Sequence, residues 1–263
     1  MYGNESFGRR LRLAHLGRRD GSGLLLVPLD HAVGAGPLRA DGDLDTLVAR
    51  LAEHGADGVV VHKGAARRIR PARFRDLSLV VQLNASTAMA ADPDAKYPVA
   101  TVEEALRLGA DAVSVHVNAA SRTEAAQIAH LAAVAEECER WSVPLLAMMY
   151  VRGPAVRDGR APELVAHAVA VAAEMGADLV KTALPDDPAA TARIVAGAPV
   201  PVLAAGGPPE PGADAVLGRM AAAMRAGAAG VAVGRLVFTA ADPGAMLRRL
   251  AAVVHDRTPA VIR

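Results

Sequence analysis

Lys181 stands in the run Leu179-Val180-Lys181-Thr182, an apolar stretch in which an ammonium ion is expensive to keep. The chain has only three lysines, Lys63, Lys96 and Lys181; every other basic residue apart from the histidines is arginine. A guanidinium carries charge but makes no imine, whereas an amine in apolar surroundings loses its proton more readily and attacks carbonyl carbon. Residue type and setting together point to a catalytic amine that forms a Schiff base. The alternative is a snorkelling or ion-paired lysine.

An iminium ion on Lys181 would be an electron sink for making or breaking the neighbouring carbon–carbon bond. Such steps need proton donors and acceptors. Tyr150 and Asp30 end two other apolar runs and suit that role, the alternative for Asp30 being a turn or helix cap beside His31. Gly206 and Gly207, and Gly234 with Arg235, offer backbone N–H groups bare of Cβ next to a guanidinium, which is a phosphate cradle. His31, Lys63, His116 and Arg152 also fall at or just after strand ends and read as further substrate ligands. Lys96, in the polar run Asp92-Pro93-Asp94-Ala95-Lys96, reads as surface. The rival chemistry is a metal site built from His31, His62 and His116, which would stabilise an enolate directly. Their spacing matches no compact metal motif, and Lys181 would then lack a purpose. The imine reading calls for no metal and no cofactor.

The elements that must position these groups are regular. Short, nearly continuous apolar runs occur at Leu24 to Leu29, Gly58 to His62, Leu79 to Leu83, Ala112 to Val117, Leu145 to Tyr150, Leu179 to Thr182, Pro201 to Ala205 and Gly230 to Gly234. Such runs suit parallel strands buried on both faces. Helical stretches lie between most of them, including Leu44 to Glu53, Thr123 to Trp141, Pro162 to Met175, Asp214 to Ala226 and Pro243 to Val254. Gly-Ala-Asp recurs at 55–57, 109–111 and 176–178, with Gly227-Ala228-Ala229 as a fourth copy lacking the acid. Each copy ends a helix and leads into a strand. Eight strands alternating with helices predict a (β/α)8 TIM barrel, with an open doubly wound sheet as the other possibility. In a barrel the strand C-termini carry the active site, and the longest irregular segment, Asn84 to Pro98, belongs on that face.

Residues Ser6 to Arg19 alternate apolar positions with five arginines and predict an additional N-terminal amphipathic helix. It reads as a plug under the domain or a subunit contact, a membrane-surface helix being the alternative. The expected division is a cap over 1–22 and one barrel over 23–263. A net charge of +1 gives no support for nucleic-acid binding, and no apolar run is long enough to span a bilayer. The single cysteine, Cys138, excludes an intrachain disulfide and fits a reducing, cytoplasmic setting.

Several runs together resemble the archaeal-type class I aldolase family: Leu24 to His31, Val59 to Gly64, Glu103 to Asn118, Ala135 to Gly153, Gly176 to Thr182, Ala204 to Pro208 and Gly227 to Arg235. The likeness covers nearly the whole chain after the N-terminal helix. It implies Lys181 as the Schiff-base lysine, Tyr150 and Asp30 as the acid/base pair, and phosphate held by Gly206, Gly207, Gly234 and Arg235. It also implies a phosphorylated small-molecule substrate and a homo-oligomer, of the kind built from rings of barrels paired into decamers. The family spans fructose-bisphosphate aldolases, amino-heptulosonate synthases and a thiolase branch. The run Asp92 to Tyr97 and the Ala/Arg-rich composition look most like the synthases. Their acceptor is L-aspartate 4-semialdehyde and their donor is dihydroxyacetone phosphate or a phosphorylated dideoxyketose. Departures fall at Thr182 to Pro185 and in the proline-rich Pro208 to Gly212, which border the acceptor side.

Overall fold

A computed structural model describes residues 6–17, 23–38, 43–207 and 212–256. Eight parallel strands close into a barrel: β1 (Leu24–Pro28), β2 (Gly58–Val61), β3 (Ser78–Gln82), β4 (Ala112–Ala119), β5 (Leu145–Val151), β6 (Leu179–Thr182), β7 (Val202–Ala205) and β8 (Gly230–Ala232). Their order around the ring follows the chain, and β1 pairs with β8 through Leu24 and Gly230 to close it. A Cβ at position 230 would lie 2.1 Å from the Leu24 carbonyl oxygen, so the closing pair needs a glycine. The doubly wound alternative is thereby set aside.

Strand alternation divides the core in two. Side chains such as Val27, Val59, Val81, Val113 and Val180 point outward against the helices. Leu24, Leu26, Val60, Val80, Ala112, Leu146, Met148, Leu179 and Leu203 fill the lower interior. The same alternation, carried one step further up each strand, turns His62, Gln82, His116, Tyr150 and Lys181 toward the mouth, where all five line a cavity.

The repeated Gly-Ala-Asp has a structural purpose. The glycines at 55, 109, 176 and 227 all have φ between 83° and 102°, the left-handed conformation that closes a helix at little cost to glycine. Each aspartate then clamps the strand before it. Asp57 accepts a hydrogen bond from the Leu25 N–H at 2.6 Å, Asp111 from Leu79 at 2.9 Å, and Asp178 from Leu145 at 2.7 Å. Each returns its own N–H to that residue's carbonyl at 2.9 Å. Ala229 keeps the backbone half of the clamp, donating to the Val202 carbonyl, and has no carboxylate to give. Replacing Asp57 by alanine strands a buried N–H, and should cost about 1–3 kcal/mol in a urea unfolding experiment. An unchanged midpoint would show that water replaces the carboxylate.

The helix Phe7–Leu16 lies under the barrel, its first turn capped by Ser6. Leu13 and Leu16 join the lower interior layer, Leu16 being 1% exposed. Arg9 bridges Glu139 at 2.5 Å and Asp178 at 3.3 Å, Arg12 donates to the Ser142 carbonyl at 3.1 Å, and the Ser78 hydroxyl donates to the His15 carbonyl at 2.8 Å. The helix thus packs against the lower end of the barrel interior. Arg18, Arg19, the boundary near residue 22 and the loop from Pro208 to Pro211 lie outside the described residues. Cys138 is fully buried on the helix Glu124–Trp141, and burial pushes its thiol up to about 12. No helix among the described residues is long and apolar enough to cross a membrane.

Candidate active site

The mouth of the barrel holds a cavity of about 340 Å³. Ten of the eleven residues singled out from the sequence line it: Lys181, Tyr150, Asp30, His31, His116, Arg152, Gly206, Gly207, Gly234 and Arg235. Lys181 is 6% exposed and registers with Met148 on β5 and Leu203 on β7. Its Nζ lies 3.9 Å from the Met148 sulfur and 5.9 Å from the centre of the Tyr150 ring. Among the described residues no carboxylate is within ion-pair distance of it, so the ion-paired alternative is not what holds it there.

Tyr150 tilts at 46° over His116 with ring centres 5.0 Å apart. Its hydroxyl has no hydrogen-bond partner among the described residues. Asp30 precedes the short helix His31–Ala35 but makes no side-chain cap bond, and it lines the cavity. The Asp30 Oδ1 lies 3.3 Å from His31 Nδ1.

A chain of side-chain amides props up the wall between β3 and β4. Asn84 stands where the ladder would continue: its Oδ1 accepts from the His116 N–H at 2.9 Å and its Nδ2 donates to the His116 carbonyl at 2.8 Å. Gln82 donates to Asn84 Oδ1 at 2.7 Å and takes the Ser114 hydroxyl at its other end. Asn118, fully buried, donates its Nδ2 to the Asp94 carbonyl, which leaves Oδ1 to accept from His116 Nε2 at 2.9 Å. That assigns the proton of a neutral His116 to Nε2. Burial holds the His116 imidazole well below 6.5, with Lys96 beside it acting the same way. Burial also lowers His31 and His62, against the pull of Asp30. All three imidazoles lining the cavity are thereby shifted toward their neutral form. Among the described residues, no three His, Cys, Asp or Glu side chains are gathered as a metal ion would need.

The glycine sites are mixed. Gly207 adopts φ 77°, and a Cβ on Gly234 would lie 2.2 Å from the Pro28 carbonyl oxygen, so both positions demand glycine. The N–H groups of Gly207, Gly234 and Arg235 have no acceptor among the described residues, and all three residues line the cavity. Gly206 is different: its N–H donates to the Ala232 carbonyl at 3.2 Å. Its lack of a Cβ answers instead to Val233, whose side chain would be 2.9 Å away.

Two other sequence expectations change. Lys63 starts the helix Lys63–Ala66, points away from the cavity and pairs with Glu104 at 3.0 Å. The strand-end residue that turns inward is His62, and alternation sends its neighbour out. Lys96 is the reverse case: read as surface, it lines the cavity and donates to the Ser86 hydroxyl. Arg160, also unforeseen, reaches the same cavity from the loop after β5 and bonds Asp186 at 2.9 Å. Among the described residues, the cavity wall thus carries Lys96, Arg152, Arg160, Lys181 and Arg235 against one lining carboxylate, Asp30. A strongly cationic pocket selects anionic ligands.

This geometry agrees with what the chain is similar to. A family model described as "DeoC/LacD family aldolase" matches residues 24–240. The chain is 54% identical over 256 residues to the 2-amino-4,5-dihydroxy-6-oxo-7-(phosphonooxy)heptanoate synthase of Streptomyces griseus, across 97% of this chain and 93% of that one. It is 42% identical over 249 residues to the 2-amino-3,7-dideoxy-D-threo-hept-6-ulosonate synthase of Halobacterium salinarum, across 95% and 92%. Among solved structures, an archaeal fructose-1,6-bisphosphate aldolase with its catalytic Lys covalently bound to the carbinolamine intermediate superposes with a TM-score of 0.85. It shares 29% identity and covers 94% of this chain and 99% of that one. The chain belongs to the DeoC/LacD aldolase family, and within it to the class I aldolases that work through a lysine Schiff base.

Proposed function

We propose that the enzyme joins dihydroxyacetone phosphate to L-aspartate 4-semialdehyde, with Lys181 as the imine-forming residue. The observation that carries the assignment is the buried Lys181 amine, free of any described carboxylate, at the floor of a cationic cavity. The product named for the Streptomyces relative supports the substrates. Cutting that seven-carbon chain between its two hydroxylated carbons, C4 and C5, yields dihydroxyacetone phosphate and aspartate semialdehyde.

In this reading the donor phosphate sits against the N–H groups of Gly207, Gly234 and Arg235 and against the Arg235 guanidinium. Lys181 Nζ adds to the ketone to give a carbinolamine, and loss of water gives the iminium ion. Removal of a proton from the adjacent carbon forms the enamine, whose carbon attacks the aldehyde. The new alkoxide takes up a proton, and water hydrolyses the imine to release product and restore the amine. In this reading Tyr150 and Asp30 move these protons and His31, His116 and Arg152 complete the substrate contacts, a reading supported by all five lining the cavity. The Phe7–Leu16 helix is a cap on a single barrel domain. We place the enzyme in the cytoplasm as a homo-oligomer, an assembly supported by the exposed Phe7, Leu11 and Trp141 around the Arg12–Ser142 contact.

The test is borohydride trapping with dihydroxyacetone phosphate and chelator present, read by intact and peptide mass spectrometry, with the same sample sized in solution. A reduced adduct on the Lys181 peptide is expected. An adduct on Lys63 or Lys96 would refute the assignment. Arg235→Ala should raise the donor concentration needed for half-maximal trapping by about 10- to 100-fold, the worth of one charge-assisted hydrogen-bond pair. An unchanged donor requirement would move the phosphate elsewhere.

A further inference from the structure

We infer that Lys96 and Arg152 form a second anion subsite, which faces the phosphate cradle across the barrel and selects an aldehyde that carries its own negative group. The inference rests on the donor assignment above and deepens it. In the ring of strands, β3 and β7 are four places apart, at opposite sides of the mouth. Gly207 follows β7, and Lys96 belongs to the segment that follows β3. Lys181 on β6 and Arg152 just beyond β5 lie between them. A donor anchored at β7 and β8, with its carbonyl at Lys181, leaves the β3-to-β5 side of the cavity for the acceptor.

That side is built to hold a charge. Lys96 is half-buried, and its Nζ donates to Ser86 Oγ, which donates in turn to the Pro93 carbonyl at 2.9 Å. No carboxylate is within ion-pair distance of Lys96 among the described residues. The segment that carries it is tied down from below. The Asp94 carbonyl accepts from Asn118 Nδ2 and from Gln127 Nε2, each at 2.9 Å, and both of those side chains are fully buried. A two-residue ladder, Asn84–Ala85 against Tyr97–Pro98, closes its base. Lys96 is therefore held in place before any ligand arrives, which removes much of the entropy cost of using a lysine.

Arg152 contributes one contact at 3.7 Å to Asp94 and keeps most of its guanidinium exposed. Burial, and then Arg152 beside it, push the Lys96 ammonium below its ordinary value, with Asp94 and Asp30 opposing. Two neighbouring cations with one half-engaged carboxylate leave a net positive charge that an incoming anion would neutralise. A carboxylate and a phosphate share the chemistry this subsite recognises.

The experiment compares three acceptors at saturating dihydroxyacetone phosphate: aspartate 4-semialdehyde, glyceraldehyde 3-phosphate and uncharged propanal. Wild type, Lys96→Met and Lys96→Arg are measured with each, alongside donor trapping on Lys181. Lys96→Met should lower kcat/KM for the preferred acceptor bearing a carboxylate or phosphate by about 10- to 100-fold, through KM, and affect propanal by less than about threefold. Lys96→Arg should regain most of the loss, as a merely structural lysine would not require. The anion that suffers the larger loss identifies carboxylate or phosphate as the group recognised. An unchanged ratio of acid-bearing acceptor to propanal in Lys96→Met, with donor trapping intact, overturns the subsite. A wild-type enzyme that traps no donor overturns the donor assignment, and the subsite falls with it.

Discussion

Lys181→Met should lose aldol activity by more than about five orders of magnitude, the scale seen when a covalent nucleophile is removed and only binding is left. Methionine keeps the length and unbranched stem of lysine, so the interior contact with Met148 and the register with Leu203 survive. The melting temperature should hold or rise, since a buried amine with no described carboxylate partner is replaced by an apolar thioether. Lys181→Arg should be equally inactive, because a guanidinium stays protonated and forms no imine. Circular dichroism, initial rates and borohydride trapping on the three proteins decide the matter. Turnover by a folded Lys181→Met protein would place the chemistry on another group.

Tyr150→Phe is the second large effect, a fall in kcat of about 10²- to 10⁴-fold. The substitution deletes only the hydroxyl. The ring can keep its tilt over His116 and its place near Lys181, so packing is preserved and the loss reports proton transfer. Because the hydroxyl has no described hydrogen-bond partner, removing it strands no buried group and should leave stability within about 0.5 kcal/mol. Donor trapping should persist more strongly than turnover, since an amine can add to a ketone before the tyrosine is needed. A full wild-type rate would transfer the role to Asp30 or to water.

The barrel was legible because strand burial and helix closure are local signals. Eight apolar runs and the repeated glycine suffice to count the strands, and the aspartate clamps explain why the acid recurs. Lys181 and Tyr150 were legible for a related reason: each stands in or at the end of a run whose neighbours leave no doubt about the strand. Lys63 and Lys96 were misread because the direction of a side chain beyond a strand end is not a local property. Lys63 is turned outward by one step of alternation and claimed by Glu104, 41 residues later. Lys96 sits in a sequence that looks like an exposed turn, and becomes cavity wall only because Asn118 and Gln127 bind the Asp94 carbonyl from another part of the chain. Gly206 illustrates the same limit. Whether a backbone N–H is free depends on the neighbouring strand, here on the carbonyl of Ala232.

The plug under the barrel has a consequence for the order in which the molecule is made. Phe7–Leu16 leaves the ribosome well before its anchors: Glu139 and Ser142 lie 130 residues further on, and Asp178 follows them. β1 is likewise made long before β8 and waits for Gly230 before its second side is paired. For most of translation the N-terminal helix must stay detached while β1 keeps an open side, a state that invites pairing with other chains. The five arginines between Ser6 and Arg19 give that waiting segment a dense positive charge, and like charges oppose association between copies of it.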